Sequence, residues 1–161
     1  MGDNKMVNLS EIGYSRRTSP DGLNREAGAL FLIRIALAYF FMVWGINKLL
    51  AADQTTKLFD YFYALSLPAT APYALGLAEA FLALAIAVGL WRRPIYLIAL
   101  LVHSVTILVT IGSLATPFRI EDGFPVNRMY AASVPTWGAL VALYLLRDRD
   151  RWSLEGLRRG L

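Results

Sequence analysis

The 161-residue chain contains no cysteine and one histidine, His103. Without thiols it cannot form a disulfide, a thiolate zinc site, a cysteine-held iron–sulfur cluster or a dithiol relay of its own. One imidazole cannot ligate a haem from both sides. Charge is also scarce, at 17% of residues against about 25% in soluble domains. The hydrophobic share is 57%, where roughly 45–50% is usual. That balance excludes disorder and makes water the wrong solvent for most of the surface. The first 26 residues are polar and lack an apolar core of about 7–15 residues followed by small residues, so they read as a cytoplasmic tail and not a cleaved signal peptide.

Long apolar runs make up the rest. Four of them, 27–50, 72–91, 94–114 and 129–146, meet or approach the about 20 residues that a membrane crossing requires. None alternates as a strand would, so helices are expected. Arg92-Arg93-Pro94 leaves room only for an antiparallel hairpin between the second and third runs. The predicted fold is therefore an all-α, four-helix transmembrane bundle over 27–146, with the tail 1–26 before it and a charged segment 147–161 continuing the fourth helix out of the lipid. An amphipathic aromatic segment, Leu58 to Leu65, occupies the first outer loop, where aromatic rings suit the headgroup region. The second outer loop, Thr116 to Arg128, is a candidate dock for an extracytoplasmic partner.

The net charge is +4, and eleven of the 16 basic residues lie in the tail, the Arg92-Arg93 turn and the C-terminal segment. Lys48, Lys57, Arg119 and Arg128 lie in the other two loops. The asymmetry places both termini in the cytoplasm of a multi-pass, inner-membrane type protein. It accounts for the basic excess, so no nucleic-acid partner is expected, and membrane lipid is the expected surroundings.

Ionisable groups within hydrocarbon are costly and mark either pairing or function. At 1.5 Å per residue, Arg34 lies about 10 Å deep from the cytoplasmic side, Glu79 about 18 Å and His103 about 14 Å. Arg34 shares a helical stripe with Ala38, Phe41, Gly45 and Lys48. Glu79 lies among Gly76, Ala83 and Ala87, and His103 leads a polar stripe of Thr106, Thr110 and Ser113; Ser133, with Thr136 or Trp137, completes the common interior from the fourth helix. The three groups are expected to converge. Two readings stay open: a structural Arg34–Glu79 ion pair with His103 beside it, or a polar pocket that holds a headgroup or passes a proton. Lys48 reads as a snorkelling anchor at the outer boundary or as the pocket mouth. No metal site is expected.

Arg34, then Gly45-Ile46-Asn47-Lys48-Leu49, then Leu75-Gly76-Leu77-Ala78-Glu79 with Gly89 before a basic turn, resembles the DoxX family of small four-helix membrane proteins. His103 is similar to a polar position often found on its third helix. The resemblance covers about 27–146 and implies respiratory-type chemistry, since the family name comes from a membrane subunit of a thiosulfate:quinone oxidoreductase. In that light Glu79 and His103 are the candidate catalytic, proton-handling groups, and Arg34, Lys48, Thr106 and Thr110 the candidate quinone-binding groups. Quinone would be the cofactor, none being covalently bound. Electrons would come from a redox partner subunit, so the chain would not be a complete enzyme alone; it could also pair with its own copy. The alternative is a non-catalytic scaffold or assembly subunit. A carrier is disfavoured, because broken helices and an inverted repeat are missing.

Overall fold

The computed structural model describes residues 20–160. Residues 1–19, and with them most of the predicted tail, lie outside the described residues. Helix α1 spans Pro20–Leu50, so it begins seven residues before the apolar run. It is followed by α2 (Ala52–Tyr63), α3 (Ala71–Val88) and α4 (Arg92–Val109). After these come α5 (Ile111–Ala115), a two-residue hairpin of β1 (Ile120–Glu121) and β2 (Phe124–Pro125), α6 (Ser133–Leu145) and α7 (Leu154–Arg158). Among the described residues, three helices are long and apolar enough to cross a membrane: α1, α3 and α4. The fourth run divides into a 3₁₀ turn, Arg128–Ala132, and the 13-residue α6. At 1.5 Å per residue α6 alone is about 20 Å long.

α1 packs most extensively on α3, and α4 on α6. Gly45 faces Gly76 while Arg34 lies beside Gly89, so α1 and α3 run antiparallel. His103 beside Ser133 and Arg92 beside Arg147 make α4 and α6 antiparallel as well. The core between them consists of Leu30, Leu37 and Phe41 from α1, Ile86 from α3, Tyr96 from α4 and Leu140 from α6. Large apolar side chains also point outward: Leu32, Leu77 and Leu108 are each more than 60% exposed. A water-soluble bundle would bury such residues, whereas lipid accepts them.

The turn between α3 and α4 is set by Gly89, at φ +68°, which caps α3 with its N–H on Ala85 and Ile86 and lets Leu90 N–H reach Ala85 O at 2.9 Å. The helix break thus falls at Gly89–Trp91 and not at Pro94, which sits in the first turn of α4 where its missing N–H costs nothing. The third run is interrupted at Thr110, between α4 and α5. α2 is amphipathic: Thr55, Phe59, Phe62 and Tyr63 form its inner stripe, and Asp53, Lys57, Asp60 and Tyr61 its outer one. Asp122 and Gly123 both have positive φ, 51° and 79°, the requirement for a type I′ hairpin turn.

The C-terminal segment departs from expectation. It does not extend α6 outward. After a 3₁₀ turn at Arg147–Arg149 it folds back, and α7 packs across the end of the bundle formed by the start of α1 and the α3–α4 turn.

Candidate functional site

The expected meeting of Arg34, Glu79 and His103 does not occur; the structure forms three separate polar centres. The first is built on Arg34. It sits on the core face of α1 and is 2% exposed, so its charge demands a counter-ion. Asp150, fully buried, supplies it: Nη1 donates to both carboxylate oxygens at 2.9 Å, and Nη2 donates to the Trp152 carbonyl at 2.8 Å. The Tyr96 hydroxyl donates to Asp150 Oδ2 at 2.7 Å. Arg92 donates to the carbonyls of Arg147 and Asp150 at 2.7 and 2.8 Å, which ties the start of α4 to the same segment. A Cβ at Gly89 would lie 2.9 Å from Arg34 Nη1 and 3.0 Å from Ser153 Cα, so only glycine lets this segment close on the turn. Ser153 caps α7, accepting from the Gly156 N–H at 3.0 Å.

This centre corrects the Arg34–Glu79 pairing. Arg34 lies level with Gly89, and Glu79 is ten residues away along α3, about 15 Å and beyond the reach of any side chain. Asp150 escaped the sequence reading because an alternating Arg-Asp-Arg-Asp-Arg run looks solvated. The signal that could have found it is the guanidinium itself, which needs an acid at its own end of the bundle.

The second centre is the Lys48–Glu79 ion pair, which joins α1 to α3. Its geometry follows from two glycines. A Cβ on Gly45 would meet Ala80 N at 2.9 Å and Gly76 O at 3.0 Å, and one on Gly76 would meet Gly45 O at 2.8 Å. The helices therefore touch backbone to backbone, as small residues permit in membranes. Lys48 and Glu79 each lie three residues after their glycine, about 4.5 Å to either side of the crossing in these antiparallel helices, and side chains that lean toward each helix's N-terminus bring the ammonium and the carboxylate together across it. Lys48 is thus Glu79's partner and not a free snorkelling anchor. Both side chains keep some exposure, at 19% and 14%. Lys48 Nζ also lies 5.7 Å from the Trp44 ring centre.

The third centre is His103, 3% exposed. Its Nε2 donates to the Ser133 carbonyl at 3.0 Å. A carbonyl only accepts, so Nε2 carries a proton. The α4–α6 link was expected through Ser133, and it is made by that residue's backbone. Phe40 and Phe41 stand edge-on to the imidazole at 5.3 and 6.4 Å. Trp44 is 6.3 Å from Phe40, so an aromatic row runs from Lys48 to His103. Thr106 and Thr110 both turn their hydroxyls back on their own helix, to Val102 O and Thr106 O. Among the described residues no group of three His, Cys, Asp or Glu could hold a metal.

The arrangement divides the chemistry. The Arg34–Asp150 centre is closed and charge-balanced, which suits locking. The Lys48–Glu79 pair keeps some exposure, and Phe40 and Trp44 connect it to the buried His103 imidazole. Residues 29–112 match the model of the family described as DoxX. No curated protein and no solved structure matches the chain.

Proposed function

The chain belongs to the DoxX family, and from that premise we propose that it is the membrane-embedded, quinone-interacting subunit of an oxidoreductase complex, with four helices spanning the bilayer and both termini in the cytoplasm. The site is Lys48, Glu79 and His103 around the Phe40–Trp44 row. Arg34, Thr106 and Thr110 leave the binding set. A quinone needs donors for its carbonyls, a flat apolar surface for its ring, and groups that exchange protons. Lys48 supplies a donor, Phe40 and Trp44 supply the surface, and Glu79 and His103 exchange protons. Electrons come from a partner subunit. The observation that carries this reading is the Lys48–Glu79 pair, still partly exposed and connected through aromatic rings to His103. The concentration of basic residues in the Arg92-Arg93 turn and the C-terminal segment supports the orientation.

Mild-detergent purification from native membranes tests it, with subunits and extracted quinone identified by mass. Quinone retained by the parent and lost in Glu79→Gln and His103→Ala, with a redox subunit co-purifying, is the expected result. Parent protein without quinone, and variants with undiminished quinone-dependent turnover of the complex, would leave the second reading. That reading is a scaffold, and it is favoured by one fact: Lys48 and Glu79 already satisfy each other across α1 and α3.

A further inference from the structure

At the end of the bundle away from the Arg34 lock, α2 and the bend between α4 and α5 leave an open cavity of about 470 Å³. One wall is aromatic, Tyr61 and Phe62, set edge to face at 4.8 Å. The other is polar, with Ser113 and Arg119. Its floor is Val109 and Gly112, and a Cβ on Gly112 would meet nothing within 4 Å. Asn127 braces the loop above by donating to the carbonyl and hydroxyl of Thr116 at 3.1 and 3.0 Å.

Two features define what fits. The first is charge. Arg119 Nη2 lies 2.7 Å from Glu121 Oε1, and both side chains are more than half exposed. The rim therefore offers a cation and an anion side by side, with aromatic faces opposite. A lone anion would meet Glu121, whereas a phosphate tethered to an ammonium finds Arg119 for the one and Glu121 or an aromatic face for the other. The second is continuity. From Val109 the outward face of α4 descends through Val105 and Leu108, 48% and 65% exposed, an apolar track for an alkyl chain. Polar head and apolar tail are thus provided for together, where the amphipathic α2 meets the end of a membrane-length helix.

We propose that this cavity binds the zwitterionic phosphate–ammonium headgroup of a phospholipid, with an acyl chain lying along α4. The proposal is independent of the quinone site. The test uses the full chain in detergent, with phosphatidylethanolamine or phosphatidylglycerol of identical acyl chains, or soluble phosphoethanolamine, as probes. Bound mass is read by native mass spectrometry and stability by thermal unfolding. Phosphatidylethanolamine should be retained and raise the melting temperature more than phosphatidylglycerol does. Gly112→Leu, which fills the floor from an open position, should abolish both effects while its lipid-free melting temperature matches the parent's. Arg119→Gln should weaken them, and it decides the matter if Gly112→Leu melts early without lipid. Equal response to the two lipids, an unchanged response in the deciding variant, or an equal shift with soluble phosphoethanolamine would overturn the proposal.

Discussion

Asp150 holds a guanidinium from α1 and a phenol from α4 with one carboxylate, and both of those partners are buried. Removing one member of a buried, hydrogen-bonded ion pair leaves the other charge unpaired and costs about 3–5 kcal/mol. Asp150→Ala is therefore expected to lower the melting temperature in detergent sharply, and an Arg34→Met/Asp150→Leu pair to recover part of the loss. An additive result would mean that the two side chains do not interact. Glu155 gives a pH signature to the same region. It accepts from the Arg92 N–H at 2.8 Å, which with the nearby Arg159 and Arg92 charges holds it below the ordinary carboxylate value against the opposing effect of burial. A lowered folded-state value means stability that is present above the unfolded carboxylate value and lost as pH falls through the folded one. Acidification through that window should loosen α7, seen as a change in Trp152 fluorescence that Glu155→Gln abolishes. Of these residues, Arg34 was legible as a cation needing a partner. Asp150 was not, because local charge alternation says nothing about a backbone that turns inward.

At the scale of the elements, the α1–α3 crossing depends on Gly45 and Gly76 touching through their backbones. Gly76→Ala would place a methyl 2.8 Å from Gly45 O, with Leu49 side-chain atoms equally near, so the helices must separate. The expected cost is on the order of 1–3 kcal/mol, as in overpacked cores, together with a weakened Lys48–Glu79 pair. Gly138→Ala, in open space on α6, is the matched control and should melt no lower than the parent. Both motifs were visible as Gly-x-x-Lys and Gly-x-x-Glu. That Lys48 and Glu79 pair was not, since it requires knowing that the glycines face each other and that both side chains lean back to the crossing. The apolar runs located α1, α3 and α4 to within several residues. They did not show the break at Thr110, whose hydroxyl bonds back to Thr106 O at 2.7 Å, nor the division of the fourth run. Hydropathy sums over a turn and does not register which backbone hydrogen bonds are made.

At the scale of the whole molecule, the start of α1, the α3–α4 turn and the C-terminal segment meet at one end, and the aromatic α2 and the β1–β2 hairpin lie at the other. Arg25, Arg93, Arg147, Arg151 and Arg158 at the first end have no ion pair among the described residues, against Lys57 and Arg128 at the other. Such a surplus belongs on the cytoplasmic face. The absence of native cysteine makes this simple to check. Ser66→Cys, beyond α2, should react with an impermeant maleimide on intact cells, and Arg158→Cys only after lysis; the opposite labelling would invert the orientation. The concentration of basic residues into three segments was readable from the sequence, because positive charge is counted along the chain. Their junction with α1 was not, because it depends on a fold-back that hydropathy treats as an exit.

The lock also bears on how the protein is made. Arg34 belongs to α1, and its counter-ion follows 116 residues later. At about 5–20 residues per second, translation leaves that cation waiting on the order of ten seconds. A nascent chain stopped short of residue 150 keeps an unneutralised guanidinium at the membrane edge. Burial of the α1 guanidinium is thereby tied to the folding back of the segment that carries Asp150.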